Sequence, residues 1–560
     1  GERRLGASGE RDNDAWLGGR GLSDGDLMPS RRRTVDRTST VLLLAILALG
    51  LALRTWLNAR SQWMIDGDEA LFGIGAVRLL HGDYPNLLYG VPYMGMLQSY
   101  LAAPIVAVFG PSLVALRCVT LFSSVAYIVC TWLLGTAWCG RAAGLVAASL
   151  AAVPSVYFDA VGLKVWGSYL DVMVMGDLLL FGVWSCRQRE AGLRRSQWFL
   201  LGLLGGLALW ANLLIVYYLL PAVILLPWRR WRRWLPRGLS FGLLGVLLGG
   251  APLWVYNIRT DLATFRWLFA GSGSNGAQTA AVAHVLLVTL LPRLAGLTSP
   301  WGPLPTSLVI AMGAIMAAAL LSALDASVRP AALQRRTASD RTAGVRPLLL
   351  FLAALLVVYM ASGFGRPSLS PFDASGRYLL PLWSVFPILL AAFCVRLGAL
   401  WRPAGAGVLV VLLAGNLAGH LSSDPRQVFQ SPYWNRLPPD CRPLLRWLQA
   451  NDIHDVWMNH WAGDQIMYLS GGSIRSADYY DIVAGRAINR FPAQFQRVRQ
   501  APRAAFVVVQ GSLPSPGLDA MLRALGVGYR EASIGDYRVF LPLSRQVDPF
   551  EVANALRYPY

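Results

Sequence analysis

Charge is what this 560-residue chain has least of. Asp, Glu, Lys and Arg together make up 14%, roughly half the share of an ordinary soluble protein. Beside 55% hydrophobic residues, that scarcity excludes a soluble cytoplasmic enzyme and a disordered chain. Lysine is almost missing: Lys and Arg total 50, Lys164 is the only lysine, and the other 49 are arginine, a bias that suggests a GC-rich genome. Only six cysteines occur, and Cys441 alone lies in the polar C-terminal region, so no disulfide is expected there. No Cys-x-x-Cys pair suggests zinc or redox chemistry. Neither a P-loop nor a Gly-x-Gly-x-x-Gly in strand–helix context is present, which argues against nucleotide use. No internal repeat is visible.

What is present is a series of apolar runs long enough to cross a bilayer. Eleven spans are predicted: 41–57, 112–138, 142–157, 168–186, 197–211, 213–228, 238–256, 303–324, 348–362, 376–397 and 403–420. Stretches 94–110 and 281–299 are left as interfacial or re-entrant helices on the outer face; thirteen spans result if both cross. The net charge of +19 resides in arginines between the runs, at 187–195, 229–237, 325–347 and 396–402. This is the positive-inside pattern of cytoplasmic loops rather than a nucleic-acid surface, so no nucleic-acid partner is expected. Residues 1–37 read as a disordered cytoplasmic N-terminus, with the part before Met28 as upstream or added sequence. Residues 38–420 form the membrane domain. Residues 421–560 are predicted to be a small external α/β domain, with strands near 504–509 and 537–541 and helices near 443–449 and 518–525.

The chemistry concentrates in the predicted outer connections, 58–111, 158–167, 257–302 and 363–375. Asp66-Gly67-Asp68-Glu69 puts three carboxylates at a membrane surface. Such acids suit a general base or a divalent metal. The bland alternative is capping, with Asp68 before a helix and Glu69 favourable to its dipole. That alternative leaves Asp66 unexplained. Lys164 lies between Asp159 and Asp171 and suits a phosphate, or an ion pair. Asp177 lies deeper, with Asn212 as an expected partner. Arg377 and Tyr378, after Asp373, suit a lipid phosphate or an interfacial Arg–Tyr belt. The run Pro252 to Asn257 is a weaker outer span end. His81 and His284 fall in outer loops and would meet only if a metal joined them; no His-Glu-x-x-His supports one.

Taken in order, several runs resemble the GT-C glycosyltransferases, in the bacterial branch similar to protein O-mannosyltransferases and the lipid A aminoarabinose transferase. They are Asp68-Glu69 after the first span, His81-Gly82-Asp83-Tyr84-Pro85, Tyr93 to Leu101, Phe109-Gly110-Pro111, Pro252-Leu253-Trp254-Val255-Tyr256-Asn257 and Gly376-Arg377-Tyr378-Leu379-Leu380-Pro381. The resemblance spans roughly residues 41–420. It implies a polyprenyl-phosphate sugar donor and a glycan, lipid or protein acceptor, with transfer on the outer face of the bacterial inner membrane. Asp68 matches the proposed catalytic base. Glu69, Lys164, Asp171, Arg377 and Tyr378 are the substrate-binding candidates, Arg377 near the donor phosphate and Lys164 more loosely. A divalent metal near that phosphate is suggested by the aminoarabinose branch, without assigned ligands. A single displacement would invert the anomeric centre. The runner-up is a lipid or sugar transporter, which predicts acids and broken helices near the midplane. Trp457, Trp461 and Tyr479-Tyr480 of the external domain are expected either to stack on an acceptor sugar or to form core.

Overall fold

The computed structural model describes residues 37–189, 193–270, 276–328, 344–369, 376–430, 437–479, 490–510 and 517–556. The N-terminal segment through residue 36, Asp373 and Tyr480 lie outside the described residues. The chain forms a helical membrane domain capped at one end by a small α/β domain. The first helices are α1 (Arg37–Arg60), α2 (Gly67–Leu80), α3 (Leu97–Phe109), α4 (Leu113–Cys139), α5 (Arg141–Ala152), α6 (Val156–Gly162), α7 (Tyr169–Gln188) and α8 (Arg195–Ala211).

Among the described residues, seven helices are long and apolar enough to cross a membrane: α1, α4, α7, Ala277–Leu294, Thr306–Val328, Arg377–Leu400 and Arg402–Ser422. Two bent pairs raise the number to nine if each crosses once: α5 with α6 at 74°, and Gly238–Gly249 with Ala251–Arg259 at 66°. Leu97–Phe109, Leu213–Leu225 and Val345–Ala361 are apolar but shorter. The expected eleven straight spans therefore differ from the structure where hydropathy runs through a bend or a short helix. Residues 281–294 of the stretch expected as an interfacial or re-entrant helix, or as a further span, belong to an 18-residue helix long and apolar enough to cross. A π turn at Leu286–Leu290 precedes Pro292 and shifts the hydrogen-bond ladder where proline supplies no N–H. The helices α7 and Arg377–Leu400 form the centre, with 72% and 78% of their apolar windows buried, against 17% for α1 and for Thr306–Val328 at the periphery.

The α5–α6 bend frees backbone carbonyls that hydrocarbon cannot solvate, so side chains must satisfy them. Arg54 donates to Ala151 O (3.0 Å) and Ala152 O (3.1 Å), Asn416 to Val153 O (2.8 Å), and His420 Nε2 to Pro154 O (3.0 Å). Arg54 Nε also lies 3.1 Å from Asp159 Oδ1, and His420 Nε2 3.6 Å from Asp159 Oδ2. This buried group holds α6 at a fixed angle and so positions the loop that follows it.

The C-terminal domain has five strands: β1 (Asp455–Met458), β2 (Arg475–Ala477), β3 (Ala504–Val509), β4 (Tyr529–Ile534) and β5 (Tyr537–Pro542). Their order is β2-β1-β3-β5-β4; β1 runs parallel to β2 and β3, while β5 is antiparallel to β3 and β4. Alternation sends Val456, Met458, Ala505 and Val507 to one apolar layer and Trp457, Phe506, Val508 and Phe540 to the other. The strands and helices expected near 504, 537, 443 and 518 are all found. Trp457 and Tyr479 are core residues, and Trp461 is buried against α2, so none presents a free stacking face.

The helix His460–Leu469 docks this domain onto α2. A Cβ on Gly73 would come 2.6 Å from the Tyr468 ring, and one on Gly67 2.6 Å from Trp461 Cα. Only glycine permits that approach. Tyr468 Oη further donates to Ser112 O at 2.9 Å.

Removing Arg54 would leave Asp159 buried without its counter-charge. Arg54→Leu is expected to cost about 3–5 kcal/mol of stability, and Arg54→Leu/Asp159→Leu to recover part of it. Thermal unfolding in nanodiscs reads both; a double variant no better than the single would contradict the pairing.

Candidate active site

The sequence Asp66-Gly67-Asp68-Glu69 folds as a helix start in which the three acids take different roles. Asp66, not Asp68, is the N-cap. Its side chain accepts from Glu69 N (3.1 Å), while Glu69 Oε2 accepts from Asp66 N (3.2 Å), a reciprocal capping box. Capping thus accounts for Asp66, the acid that an Asp68 cap left unexplained. Glu69 is fully buried: Oε2 takes Arg117 Nη2 at 2.8 Å and Oε1 takes Val165 N at 2.8 Å. Arg117 also donates to Met64 O (2.9 Å) and Leu163 O. Burial pushes Glu69 up to about 7 against the pull of Arg117, and raises Asp66 against the pull of Lys164. Lys164 is lowered by its own burial, opposed by Asp66 and Glu69. Glu69 therefore sits in the scaffold and ties α2 to α4 and to the loop at 163–165.

That loop presents the cations. Lys164 Nζ donates to Gln430 O (2.9 Å), lies 3.6 Å from Asp66 Oδ2, and sits 4.8 Å from the centre of the Trp166 ring. The Arg377 guanidinium lies 5.3 Å from the same indole and 5.1 Å from the Tyr378 ring. Two cations from distant parts of the chain thus share one aromatic residue. Tyr378 is buried near Tyr169 and Phe364, with ring centres 6.4 and 5.5 Å away, so it is core rather than an interfacial anchor. Asp171 accepts from Ser123 Oγ (2.5 Å) and Gln98 Nε2 (3.0 Å), and Gln98 Oε1 accepts from Gly167 N (3.3 Å) and Ser168 N (3.1 Å). Asp171 acts on the loop through Gln98. Asn212 donates to Gly167 O at 2.8 Å and so serves the same loop, not Asp177 as expected.

Asp68 is the acid of the three that keeps access to solvent, with 24% of its side chain exposed. It leaves α2 toward the C-terminal domain, where Arg490 Nη2 donates to Oδ1 at 3.2 Å and Arg490 Nη1 donates to Asp464 Oδ2 at 3.2 Å. Burial raises Asp464 to about 6, with Arg490 and His460 opposing. His460 Nδ1 is 2.7 Å from Asp478 Oδ2. Sequence reading missed this group, because one arginine among 49, more than 400 residues from Asp68, carries no local signal. His81 bonds to Val77 O on the surface (2.8 Å), and His284 is exposed in another helix. Among the described residues no group of three His, Cys, Asp or Glu side chains is placed to hold a metal.

No family model matches this sequence. No curated protein matches it either. Solved structures do match in fold. The structure of ArnT from Cupriavidus metallidurans bound to undecaprenyl phosphate aligns with a TM-score of 0.58 at 13% identity, covering 91% of this chain and 99% of that one. The same protein in its apo state aligns at 0.57 and 14% identity, covering 90% and 98%. The GT-C fold expected from the sequence motifs is therefore the fold this chain has, C-terminal domain included.

Glu69 and Asp464 are both raised above ordinary carboxylate values, so the folded chain binds their protons more tightly than the unfolded chain. Their contribution to stability is present at low pH and is lost as pH rises through about 6 to about 7. The unfolding midpoint should fall between about pH 4, near the ordinary carboxylate values, and about pH 7. Glu69→Gln should flatten the upper part of that fall while lowering the midpoint throughout, since Arg117 stays buried. A midpoint that climbs across the interval would contradict these assignments.

Proposed function

We propose that this chain is a membrane glycosyltransferase. It moves a sugar from a polyprenyl-phosphate donor to an acceptor hydroxyl on the face that carries the C-terminal domain, taken as the outer face of a bacterial inner membrane. The observation that carries the reading is the division of charge around the loop at 163–168. An accessible carboxylate, Asp68, stands at the start of α2, and two cations, Lys164 and Arg377, lie against Trp166. The shared fold with ArnT, solved with undecaprenyl phosphate, supports the same donor class.

In this mechanism the polyprenyl chain lies among the helices and its phosphate meets Arg377. The planar guanidinium suits two phosphate oxygens, and Lys164 adds charge across the indole. The acceptor oxygen attacks the anomeric carbon from the side opposite the phosphate. The new C–O bond forms as the bond to the phosphate oxygen breaks, and the acceptor proton passes to Asp68. Polyprenyl phosphate leaves with both bonding electrons, its charge held by Arg377 and Lys164. One displacement inverts the configuration. Glu69 and Asp171 act from behind, through α2 and through Gln98, by keeping the base and the cations in register. Among the described residues no group of three His, Cys, Asp or Glu side chains fits a metal beside these residues.

The two bent helix pairs and buried Asp159 and Asp177 are features a transporter would also use. Turnover separates the two readings: a transferase cleaves its donor, whereas a transporter moves it intact. The full chain in nanodiscs, given a panel of polyprenyl-phosphate sugars and envelope acceptors, should release polyprenyl phosphate. Asp68→Asn should lower that release about 100-fold or more while still binding polyprenyl phosphate. Arg377→Ala should lower kcat/KM for donor about 10- to 100-fold, the worth of a charge-assisted contact. Equal turnover in native and Asp68→Asn chains would remove Asp68 as base. Intact donor carried across the bilayer without cleavage would favour the transporter.

A further inference from the structure

Arg490 belongs to the C-terminal domain, just ahead of the helix Pro492–Gln500, yet its guanidinium ends beside Asp68. It bridges two carboxylates on two elements: Nη2 on Asp68 Oδ1 of α2 and Nη1 on Asp464 Oδ2 of the docking helix, both at 3.2 Å. The bridge is sheltered, with Arg490 17% and Asp464 4% exposed. The next residue continues the grip. Phe491 lies 4.3 Å from the Arg78 guanidinium and 4.8 Å from the Tyr89 ring. Consecutive residues thus hold α2 at its first turn, which carries Asp68, and at its last, which carries Arg78.

The contact uses one oxygen of Asp68. Oδ2 has no hydrogen-bond partner among the described residues and is the atom left to take a proton. A carboxylate at the second position of a helix turns about two side-chain bonds. A guanidinium fixed at its far side by a buried acid removes that freedom without occupying the reacting oxygen. Asp464 is the anchor: its Oδ2 holds the second nitrogen of the fork, and the close packing of Gly67 on Trp461 fixes the distance between the two helices.

We propose that Arg490 is the positioning residue for Asp68, so that the C-terminal domain completes the active site. The inference rests on the reading of Asp68 as the base. Its experiment uses the full chain in nanodiscs with a donor and acceptor that the native chain turns over. Arg490→Ala should lower kcat about 10- to 100-fold, the scale of a misaligned reacting group, with KM for the donor within about threefold of native. Arg490→Lys should recover only part, because a single ammonium does not span both carboxylates. Millimolar guanidinium should raise the kcat of Arg490→Ala severalfold and leave Asp68→Asn unchanged. Phe491→Ala controls for docking alone: it should lower the unfolding temperature and keep kcat within about threefold.

Native kcat in Arg490→Ala would overturn the inference and leave Asp68 as base untouched. So would a loss that guanidinium does not rescue and that Phe491→Ala reproduces, since Arg490 would then be a docking residue only. A native chain that cleaves no donor under any condition would overturn the transferase reading and this inference with it.

Discussion

Glu69 and Arg117 meet at 2.8 Å with neither side chain exposed, and the site is assembled around that contact. Glu69 is one residue from the proposed base, and its other oxygen holds Val165 N, the residue after Lys164. Arg117 in turn holds the carbonyls of Met64 and Leu163, the chain on either side of the site. A buried ion pair adds little net stability over well-packed apolar groups, but it is costly to break on one side. Its use here is register. It sets α2, α4 and the 163–165 loop at one distance, with the Asp66–Lys164 pair compensating charge nearby.

From that frame the site divides into a dry part and a wet part. Glu69 and Asp171 are enclosed and spend their hydrogen bonds on protein. Asp68, one residue from Glu69, turns outward because the helix start directs it toward the C-terminal domain rather than into the bundle. Lys164 and Arg377 both lie against the Trp166 indole, Lys164 also paired with Asp66. A carboxylate open to water and cations held against an aromatic ring suit the proposed reaction, whose one substrate arrives from lipid and the other from solvent.

Much of this was legible in the residues. Hydropathy located the long helices, since a bilayer imposes one length scale, and the apolar runs at 504–509 and 537–541 appear as strands. Asp68 stands at the start of α2, and Arg377 lies against Trp166 of the loop after α6. What was not legible depended on pairing at a distance. The bend after Ala152 needs Arg54, Asn416 and His420, none of them near in sequence. The bridge from Asp68 to Arg490 likewise joins residues that no window contains. Trp457 and Trp461, equally open to stacking on a sugar or forming core, resolved as core once the strand and helix that carry them were seen to pack inward. Asp66, ambiguous as a string of letters, resolved once the helix cap was placed two residues earlier than expected.

The central claim is that a lipid phosphate is held at the Trp166 cations, within reach of Asp68. The most direct measurement is a cryo-EM map of the full chain in nanodiscs loaded with undecaprenyl phosphate. The account predicts phosphate density in hydrogen-bond contact with Arg377, on the face that bears the C-terminal domain, with the isoprenoid tail running between helices. Density at the opposite face among the arginine-rich loops, with none at Arg377, would contradict it.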